Sequence, residues 1–234
     1  MIALSLAAAG LAAAALFTRG RTGGILLAAG LFTALAALAA GINADWLAAL
    51  DTSVAEWFDT HRTRRRDHEA AGVFGYIGRP LHVLVVAVVC GTLLSVRARS
   101  AMPVIGVTGA VGIGLAVEQT FKAVIGRTAT TGPLVDYPHS FPSGHVTGTA
   151  ALLGTIAVFL GAGAGRAVRT TLAVLVVAAV VAVAVLALYT GAHTFSDVIG
   201  GMLLGGAIVE LVAALARPRG RGVQPTGRSM VQTN

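Results

Sequence analysis

Charged residues and cysteine are scarce in this 234-residue sequence. Asp, Glu, Lys and Arg make up 12% of it, about half the share of a typical soluble domain, whereas hydrophobic residues make up 56%. So few charges cannot cover a water-soluble surface of this size, which argues against a soluble enzyme or a disordered chain. The single cysteine, Cys90, excludes an intramolecular disulfide and therefore a disulfide-rich secreted domain. We expect an all-α integral membrane protein.

Aromatic residues are also few, at 6%, and none of them is interleaved with the basic clusters. The net charge of +7 would suit nucleic acid, yet the basic residues stand in short groups between apolar runs. Groups of this kind usually set the orientation of a membrane protein, so we expect no nucleic-acid partner. Arginine outnumbers lysine 16 to one, a bias typical of GC-rich bacterial genomes.

Seven apolar runs divide the chain, and most approach the roughly 20 residues that a membrane-spanning helix needs. They lie at 2–17, 23–41, 80–96, 101–121, 146–164, 170–190 and 198–216. We predict a polytopic helix bundle with six core spans from the second run onward and the first run as an extra N-terminal helix. The many Ala and Gly residues of these runs suit close helix packing in a membrane.

The runs and loops predict three regions and an orientation. The regions are N-terminal membrane helices at 1–41, a core at 42–216 and a disordered basic tail at 217–234. Ten arginines lie in the tail and in alternate loops, with no acidic residue among them: Arg19, Arg21, Arg97, Arg99, Arg166, Arg169, Arg217, Arg219, Arg221 and Arg228. Because Arg and Lys are enriched in cytoplasmic loops, we expect these segments and the C-terminus in the cytoplasm of a plasma-membrane protein. The outer face then carries the loops 42–79, 122–145 and 191–197.

The outer segment 44–60 has apolar residues at helical spacing, which predicts an amphipathic helix on the membrane surface. A basic cluster from His61 to Arg66 follows it, with acidic residues on both sides. Two interpretations of this cluster stay open. It is either a solvated, partly salt-bridged loop or a collar for anionic lipid headgroups.

Three groups of reactive side chains fall at the predicted outer surface, one at each of three span ends. They are Lys122 with Arg127, then Ser143, Gly144 and His145 in a P-S-G-H sequence, then His193 with Asp197. Their convergence on one face is the strongest functional signal in the sequence.

The two histidine motifs each have a chemical and a structural interpretation. Pro-Ser-Gly before an apolar run predicts a helix start, whose free N–H groups either bind an anion or are simply capped by Ser143. His193 and Asp197 are four residues apart and would share one face of a helix, where the carboxylate would fix the imidazole tautomer. The histidines form no recognisable metal-ligand pattern, so no metal is expected.

The cationic group also allows two interpretations. Lys122 and Arg127 would clamp a phosphate, or they would anchor the helix end at the membrane interface. Glu118 lies one helical turn before Lys122, so an ion pair within the helix is expected either to position the lysine or to neutralise it.

Together these motifs resemble the type 2 phosphatidic acid phosphatase (PAP2) family, whose members are related in fold to vanadium haloperoxidases. The resemblance covers about residues 42–216 and rests on P-S-G-H followed, about fifty residues later, by H-x-x-x-D-x-x-G-G from His193 to Gly201. It implies hydrolysis of a lipid phosphate or diphosphate through a phosphohistidine, without metal or other cofactor.

The resemblance also implies a role for each matching residue. It makes His193 the nucleophile, Asp197 the carboxylate that orients it and His145 the general acid. It makes Ser143 and Gly144 the turn that binds the phosphoryl oxygens, and Lys122 the lysine of the first motif. Two arginines that are usual in the family are replaced by Ala129 and Ala187, and Arg127 is the natural substitute for the first of them.

A site at headgroup depth on the outer face suits polyprenyl diphosphates, phosphatidic acid or phosphatidylglycerol phosphate, and the sequence does not choose among them. Three alternatives stay open. Without its two arginines, the protein would be a lipid-phosphate-binding pseudo-enzyme. With Glu118 and Glu210 inside apolar runs, it would be a small transporter. With an acceptor hydroxyl in place of water, it would be a phosphotransferase.

Overall fold

The computed structural model describes residues 1–18, 20–77, 79–127 and 140–217, without the side chains of residues 64, 65 and 67. These residues form nine α-helices and no strand, which confirms the predicted all-α class. The helices are α1 (Ile2–Phe17), α2 (Gly20–Ala40), α3 (Asp45–His61), α4 (Arg64–Ile77), α5 (Pro80–Ala98), α6 (Met102–Ile125), α7 (Gly144–Leu160), α8 (Arg166–Tyr189) and α9 (Phe195–Ala216). Ala129 and the predicted tail beyond residue 217 lie outside the described residues.

Each of the seven predicted apolar runs lies largely within one helix. By length and composition, α2, α5, α6, α8 and α9 can each cross a membrane, whereas α1 and α7 are shorter apolar helices of 16 and 17 residues. At 1.5 Å per residue the two short helices are about 25 Å long, slightly less than the roughly 30 Å of a hydrocarbon core. The chain is a multi-pass membrane protein.

Helices α7 and α9 form the centre of the bundle. Helix α7 contacts α5, α6, α8 and α9, while α2 packs on α9 and α1 packs on α2. Glycines bring the two central helices together, since a Cβ added to Gly201 would lie 2.7 Å from the Ser143 carbonyl oxygen. Likewise, a Cβ added to Gly205 would lie 2.5 Å from the Ala150 Cβ. This close approach places the first turn of α9 beside the start of α7.

The segment that joins α2 to α5 folds as two further helices. Helix α3 is the amphipathic helix predicted at 44–60, and it buries Leu47 and Asp51 while Trp46 and Trp57 stay exposed. Its position on a membrane surface stays a prediction.

Helix α4 is not predicted from the sequence, whose pattern indicates a loop at this position. The structure shows that the basic cluster spans the end of α3, a two-residue break at 62–63 and the first turn of α4. The sequence has only four apolar residues at helical spacing here, Ala70, Val73, Phe74 and Ile77, after a strongly polar first turn. Such a short pattern is a weak signal, and packing against α8 stabilises the helix instead.

The helix ends lie at the ends of the bundle that the predicted alternation of spans requires. Arg127 contacts Asp51, and His145 contacts Phe74, so the loops predicted on the outer face meet at one end of the bundle. Arg217, after α9, donates a hydrogen bond to the Gly20 carbonyl oxygen at the other end. Which end faces the cytoplasm stays a prediction.

Candidate functional site

The P-S-G-H segment begins α7, with Ser143 at the N-cap position as predicted. The Ser143 N–H donates a hydrogen bond of 2.9 Å to the Asp197 carbonyl oxygen, which ties the start of α7 to α9. The Ser143 side chain does not cap the helix, because its Oγ is fully buried and makes no hydrogen bond to any described residue. Buried hydroxyl groups normally have a partner, so this one has capacity for an incoming oxygen atom.

His145 lies in the first turn of α7 and packs under α4. Its ring stacks on the Phe74 ring, with centroids 3.8 Å apart and planes inclined by 16°. Its Nε2 lies 3.1 Å from the Phe74 carbonyl oxygen. Because a carbonyl oxygen can only accept, Nε2 carries the proton in this contact. His145 therefore holds a proton on the nitrogen that is remote from its own backbone.

His193 lies in the turn between α8 and α9, not on the helix. Helix α9 begins at Phe195 with Thr194 as its N-cap, so the expectation that His193 and Asp197 share a helix face is wrong. A capping box fixes Asp197 instead: its Oδ2 accepts a 2.9 Å hydrogen bond from the Thr194 N–H, and the Thr194 side chain accepts from the Asp197 N–H. The turn still brings His193 Nδ1 to 3.6 Å from Asp197 Oδ2.

The carboxylate of Asp197 thus faces Nδ1 of His193 and leaves Nε2 for chemistry. The 3.6 Å contact is slightly longer than a hydrogen bond, and Nδ1 has no other partner in the described residues. A small rotation of the imidazole would complete the bond and place the proton on Nδ1.

The two histidines share one site despite their distance in the sequence. The ring centroids of His145 and His193 are 6.3 Å apart, and the Phe74 ring lies 6.2 Å from that of His193. Phe74 is only 3% exposed, and its ring contacts both imidazoles. The His193 side chain is only 7% exposed, whereas His145 is half-buried.

Arg127 follows α6 and is held by two carboxylates. Its Nη2 donates to Asp51 Oδ2 at 2.7 Å, and its Nη1 donates to Ser196 Oγ at 2.6 Å and lies 3.4 Å from Asp197 Oδ1. Asp51 also accepts hydrogen bonds from the Ser196 N–H at 2.8 Å and from its hydroxyl at 2.7 Å. Arg127 and Asp51 together fix the first turn of α9, where Asp197 lies.

Lys122 forms the predicted ion pair with Glu118 inside α6. The Lys122 Nζ lies 2.6 Å from Glu118 Oε1, and both side chains are largely buried. The Glu118 carboxylate packs against the backbone of Gly144, since a Cβ added there would lie 2.6 Å from the Glu118 Cδ. The pair therefore borders the start of α7, next to Ser143 and His145.

Comparison with protein-family models identifies the fold of the central helices. Residues 103–221, about half of the chain, match the family model described as the PAP2 superfamily. The chain belongs to the PAP2 superfamily. The match contains every residue predicted for the site from Lys122 to Asp197, whereas α1 to α5 precede it.

A crystal structure gives the same architecture. This PAP2 protein is similar to a transmembrane PAP2-type phosphatidylglycerolphosphate phosphatase from Bacillus subtilis, with a TM-score of 0.71 and 23% sequence identity. The alignment covers 79% of this chain and 93% of that one. At 23% sequence identity, this structural similarity shows that the two chains share a fold. The comparison with curated protein sequences gave no match.

Two site features of this PAP2 protein were missed by sequence reasoning. Asp51 lies on the apolar stripe of α3 with Leu47 and Phe58, and a lone carboxylate on such a stripe is a signal that was overlooked. Phe74 belongs to the unpredicted helix α4, so no pattern pointed to its contact with His145.

The structure describes one of the two positions at which the family usually has an arginine. Ala187 is completely buried in α8, in an apolar cluster with Val183, Ala184 and Ala192, so α8 provides no cation there. Ala129 lies outside the described residues.

Proposed function

We propose that the protein is a membrane lipid phosphatase that hydrolyses a phosphate monoester or diphosphate of a lipid through a phosphohistidine on His193. One observation carries the proposal. The ring centroids of His193 and His145 lie 6.3 Å apart at one end of the bundle, next to the unpartnered Ser143 hydroxyl. His193 has a carboxylate at Nδ1, and His145 carries a proton on Nε2.

In the first step, Nε2 of His193 attacks phosphorus and a P–N bond forms while the P–O bond to the lipid breaks. The electron pair of that bond leaves on the lipid oxygen, which takes the Nε2 proton of a doubly protonated His145 and leaves that ring neutral. The negative charge of the bound substrate favours this protonated form. Asp197 stabilises the positive charge that develops on the His193 ring, because its carboxylate lies at Nδ1.

In the second step, water attacks the phosphorus of the phosphohistidine. His145, now neutral at Nε2, takes a proton from that water, and the P–N bond electrons return to His193. Inorganic phosphate leaves, and both imidazoles regain their starting protonation. The reaction consumes one water molecule and needs no redox partner or metal ion.

Binding of the phosphoryl oxygens falls to the start of α7 and to nearby cations. The Ser143 hydroxyl and the Gly144 N–H lie at a helix N-terminus, where an anion is favoured. Lys122 borders the same turn and would share its charge between Glu118 and the substrate. Arg127 has its hydrogen bonds directed at Asp51, Ser196 and Asp197, so we assign it the positioning of Asp197 rather than direct phosphate binding.

The general-acid role requires His145 Nε2 to leave the Phe74 carbonyl oxygen, so we expect α4 to shift when substrate binds. The distribution of arginines supports an extracytoplasmic site in a plasma membrane with the C-terminus inside. Polyprenyl diphosphates, phosphatidic acid and phosphatidylglycerol phosphate all carry a terminal phosphoryl group that suits such a site.

The other candidate functions receive less support. The ion pair of Glu118 with Lys122 satisfies an intramembrane carboxylate that would otherwise favour a transporter. A binding-only protein would not need a carboxylate at Nδ1 of one histidine and a proton on the other. A phosphotransferase would use the same first step and transfer the phosphoryl group to a hydroxyl in place of water.

Phosphate release by the purified protein in EDTA tests the proposal. We expect the wild type to release phosphate from at least one of the three lipid classes and His193→Ala to release none. In sealed right-side-out vesicles, we expect the phosphate outside before permeabilisation. Binding of lipid phosphate without turnover would support the pseudo-enzyme, and activity lost only on chelation would contradict the metal-free mechanism.

A further inference from the structure

Positive charge beside His193 is largely neutralised by the protein itself. Lys122 is paired with Glu118, and Arg127 is paired with both Asp51 and Asp197. A phosphoryl group in transfer carries dense negative charge, which catalysts of this reaction stabilise with cations. The two paired cations leave this requirement only partly met.

Arg62 is a further cation at the same end of the bundle, directly after α3. Its side chain is only 13% exposed, and its Nη2 lies 2.8 Å from Asp59 Oδ1. This contact is poorly aligned, because buried Nε and Nη2 make no hydrogen bond to any described residue. Buried guanidinium donors without a hydrogen-bond acceptor are costly, so these two nitrogens keep the capacity to bind an acceptor that a ligand brings.

Arg62 lines the same small pocket as His193. Asp51, Phe58 and Leu188 complete much of its wall. The pocket encloses only ≈ 10 Å³, about the room for one water molecule, so it must widen to admit a phosphoryl group. Helix α4 begins two residues after Arg62, so a movement of α4 that uncovers His145 would also act on the connection that carries Arg62.

The connection that carries Arg62 is fixed against the end of α8. The Thr63 N–H lies 3.5 Å from the Tyr189 hydroxyl oxygen, and the Phe58 ring makes an edge contact with the Tyr189 ring at 6.4 Å. These contacts hold the backbone of Arg62 close to the turn that contains His193. Ala187, whose position in the resemblance belongs to an arginine, lies in the same last turns of α8.

We propose that Arg62 binds the oxygens of the substrate phosphoryl group at His193 and supplies the positive charge that α8 lacks. Its present partner, Asp59, is 45% exposed, and a pair with such an exposed carboxylate is weak enough to be exchanged for a phosphoryl oxygen. The planar guanidinium offers two parallel donors to this ligand. The inference rests on the proposed function and adds a residue from outside the matched family region.

Substitution of Arg62 tests the inference, with Arg66 as the matched control because it is an exposed arginine of the same basic cluster. We expect Arg62→Ala to lower kcat/KM for a lipid phosphate by about 10²- to 10³-fold. Arg62→Lys should recover part of this loss, and Arg66→Ala should stay within about two-fold of wild type. Arg62→Ala should also weaken inhibition by inorganic phosphate and by orthovanadate at least ten-fold.

The outcomes separate the inference from the proposed function. An active wild type with unchanged Arg62→Ala and Arg62→Lys variants overturns the inference alone. Equal losses in Arg62→Ala and Arg66→Ala indicate a general lipid-headgroup collar and also overturn it. If the wild type turns over no lipid, the proposed function fails. A thermal-shift measurement with inorganic phosphate then still tests Arg62: the inference predicts that phosphate raises the unfolding temperature of the wild type but not that of Arg62→Ala, and equal shifts overturn it. Arg62→Lys provides the same readout if the alanine variant does not fold.

Discussion

At the scale of single residues, the site is marked by polar atoms that lack partners. Within the described part of the chain, the buried side-chain donors and acceptors without a hydrogen bond belong to Arg62, Ser140, Ser143, Thr155 and His193. Two of these residues, Arg62 and Ser143, have unpartnered atoms to which we assign contact with the phosphoryl group, whereas the unpartnered His193 atom is Nδ1, which faces Asp197. A folded protein tolerates unpartnered buried atoms where a ligand uses them, so the Arg62 and Ser143 atoms support the assignment.

Ser143→Ala separates function from stability. The Ser143 hydroxyl makes no hydrogen bond in the free protein, so its removal should leave the unfolding temperature in detergent unchanged. Loss of one donor to the transition state should lower kcat by about 10²-fold. The measurement is phosphate release beside a thermal unfolding curve.

Thr155→Val is the matched control for this variant, because Thr155 is also buried in α7 without a side-chain partner but lies about three turns from the site. Its activity should equal that of the wild type. Full activity in Ser143→Ala would contradict a role of that hydroxyl in binding the phosphoryl group.

The sequence predicts the motif residues of the site but not their supports. His145, His193 and Asp197 were predicted from motif order, and the structure places them together. The capping box that positions Asp197 was not predicted, because the spacing of four residues was interpreted as a shared helix face. Arg62 and Asp51 were not predicted as site residues, because no local pattern shows which distant turn a side chain will meet.

At the scale of helices, α3 is the element that completes the site from outside the matched family region. Asp51, Ala55, Phe58 and Arg62 follow one another at helical spacing and all line the pocket at His193. One face of α3 therefore delivers both the carboxylate that holds Arg127 and the arginine that we assign to the substrate. The amphipathic pattern predicted this helix, but the charges on its apolar stripe were not recognised as a signal.

Asp51→Asn tests the role of α3 as a support. Removal of one partner of a buried charge pair costs about 3–5 kcal/mol, so we expect a lower unfolding temperature. A small displacement of Asp197 should reduce kcat by up to about 100-fold, with less effect on KM, because the Asp51 oxygens are already bonded to Arg127 and Ser196.

Glu56→Gln, an exposed carboxylate of the same helix, should change neither quantity. A kcat of Asp51→Asn equal to that of Glu56→Gln would contradict the positioning of Asp197 through Asp51 and Arg127. Equal proportional effects on kcat and KM would indicate that Asp51 acts on binding instead.

At the scale of the whole molecule, the bundle brings together residues that the sequence separates widely. Close packing of α7 and α9 at Gly201 sets the two histidines side by side, and α3 and α4 close the same end of the bundle. The apolar runs predicted the central helices because membrane spans have a strong compositional signal. Helix α4 and its contact with His145 could not be predicted, since both depend on packing between distant segments.

Trapping of the covalent intermediate tests the central claim most directly. Wild-type protein is mixed with a lipid that carries a radiolabelled terminal phosphate and is denatured at alkaline pH, where phosphohistidine is stable. We predict acid-labile label on the peptide that contains His193, and none in His193→Ala. Turnover by the wild type with label on another residue, or turnover by His193→Ala, would contradict the account.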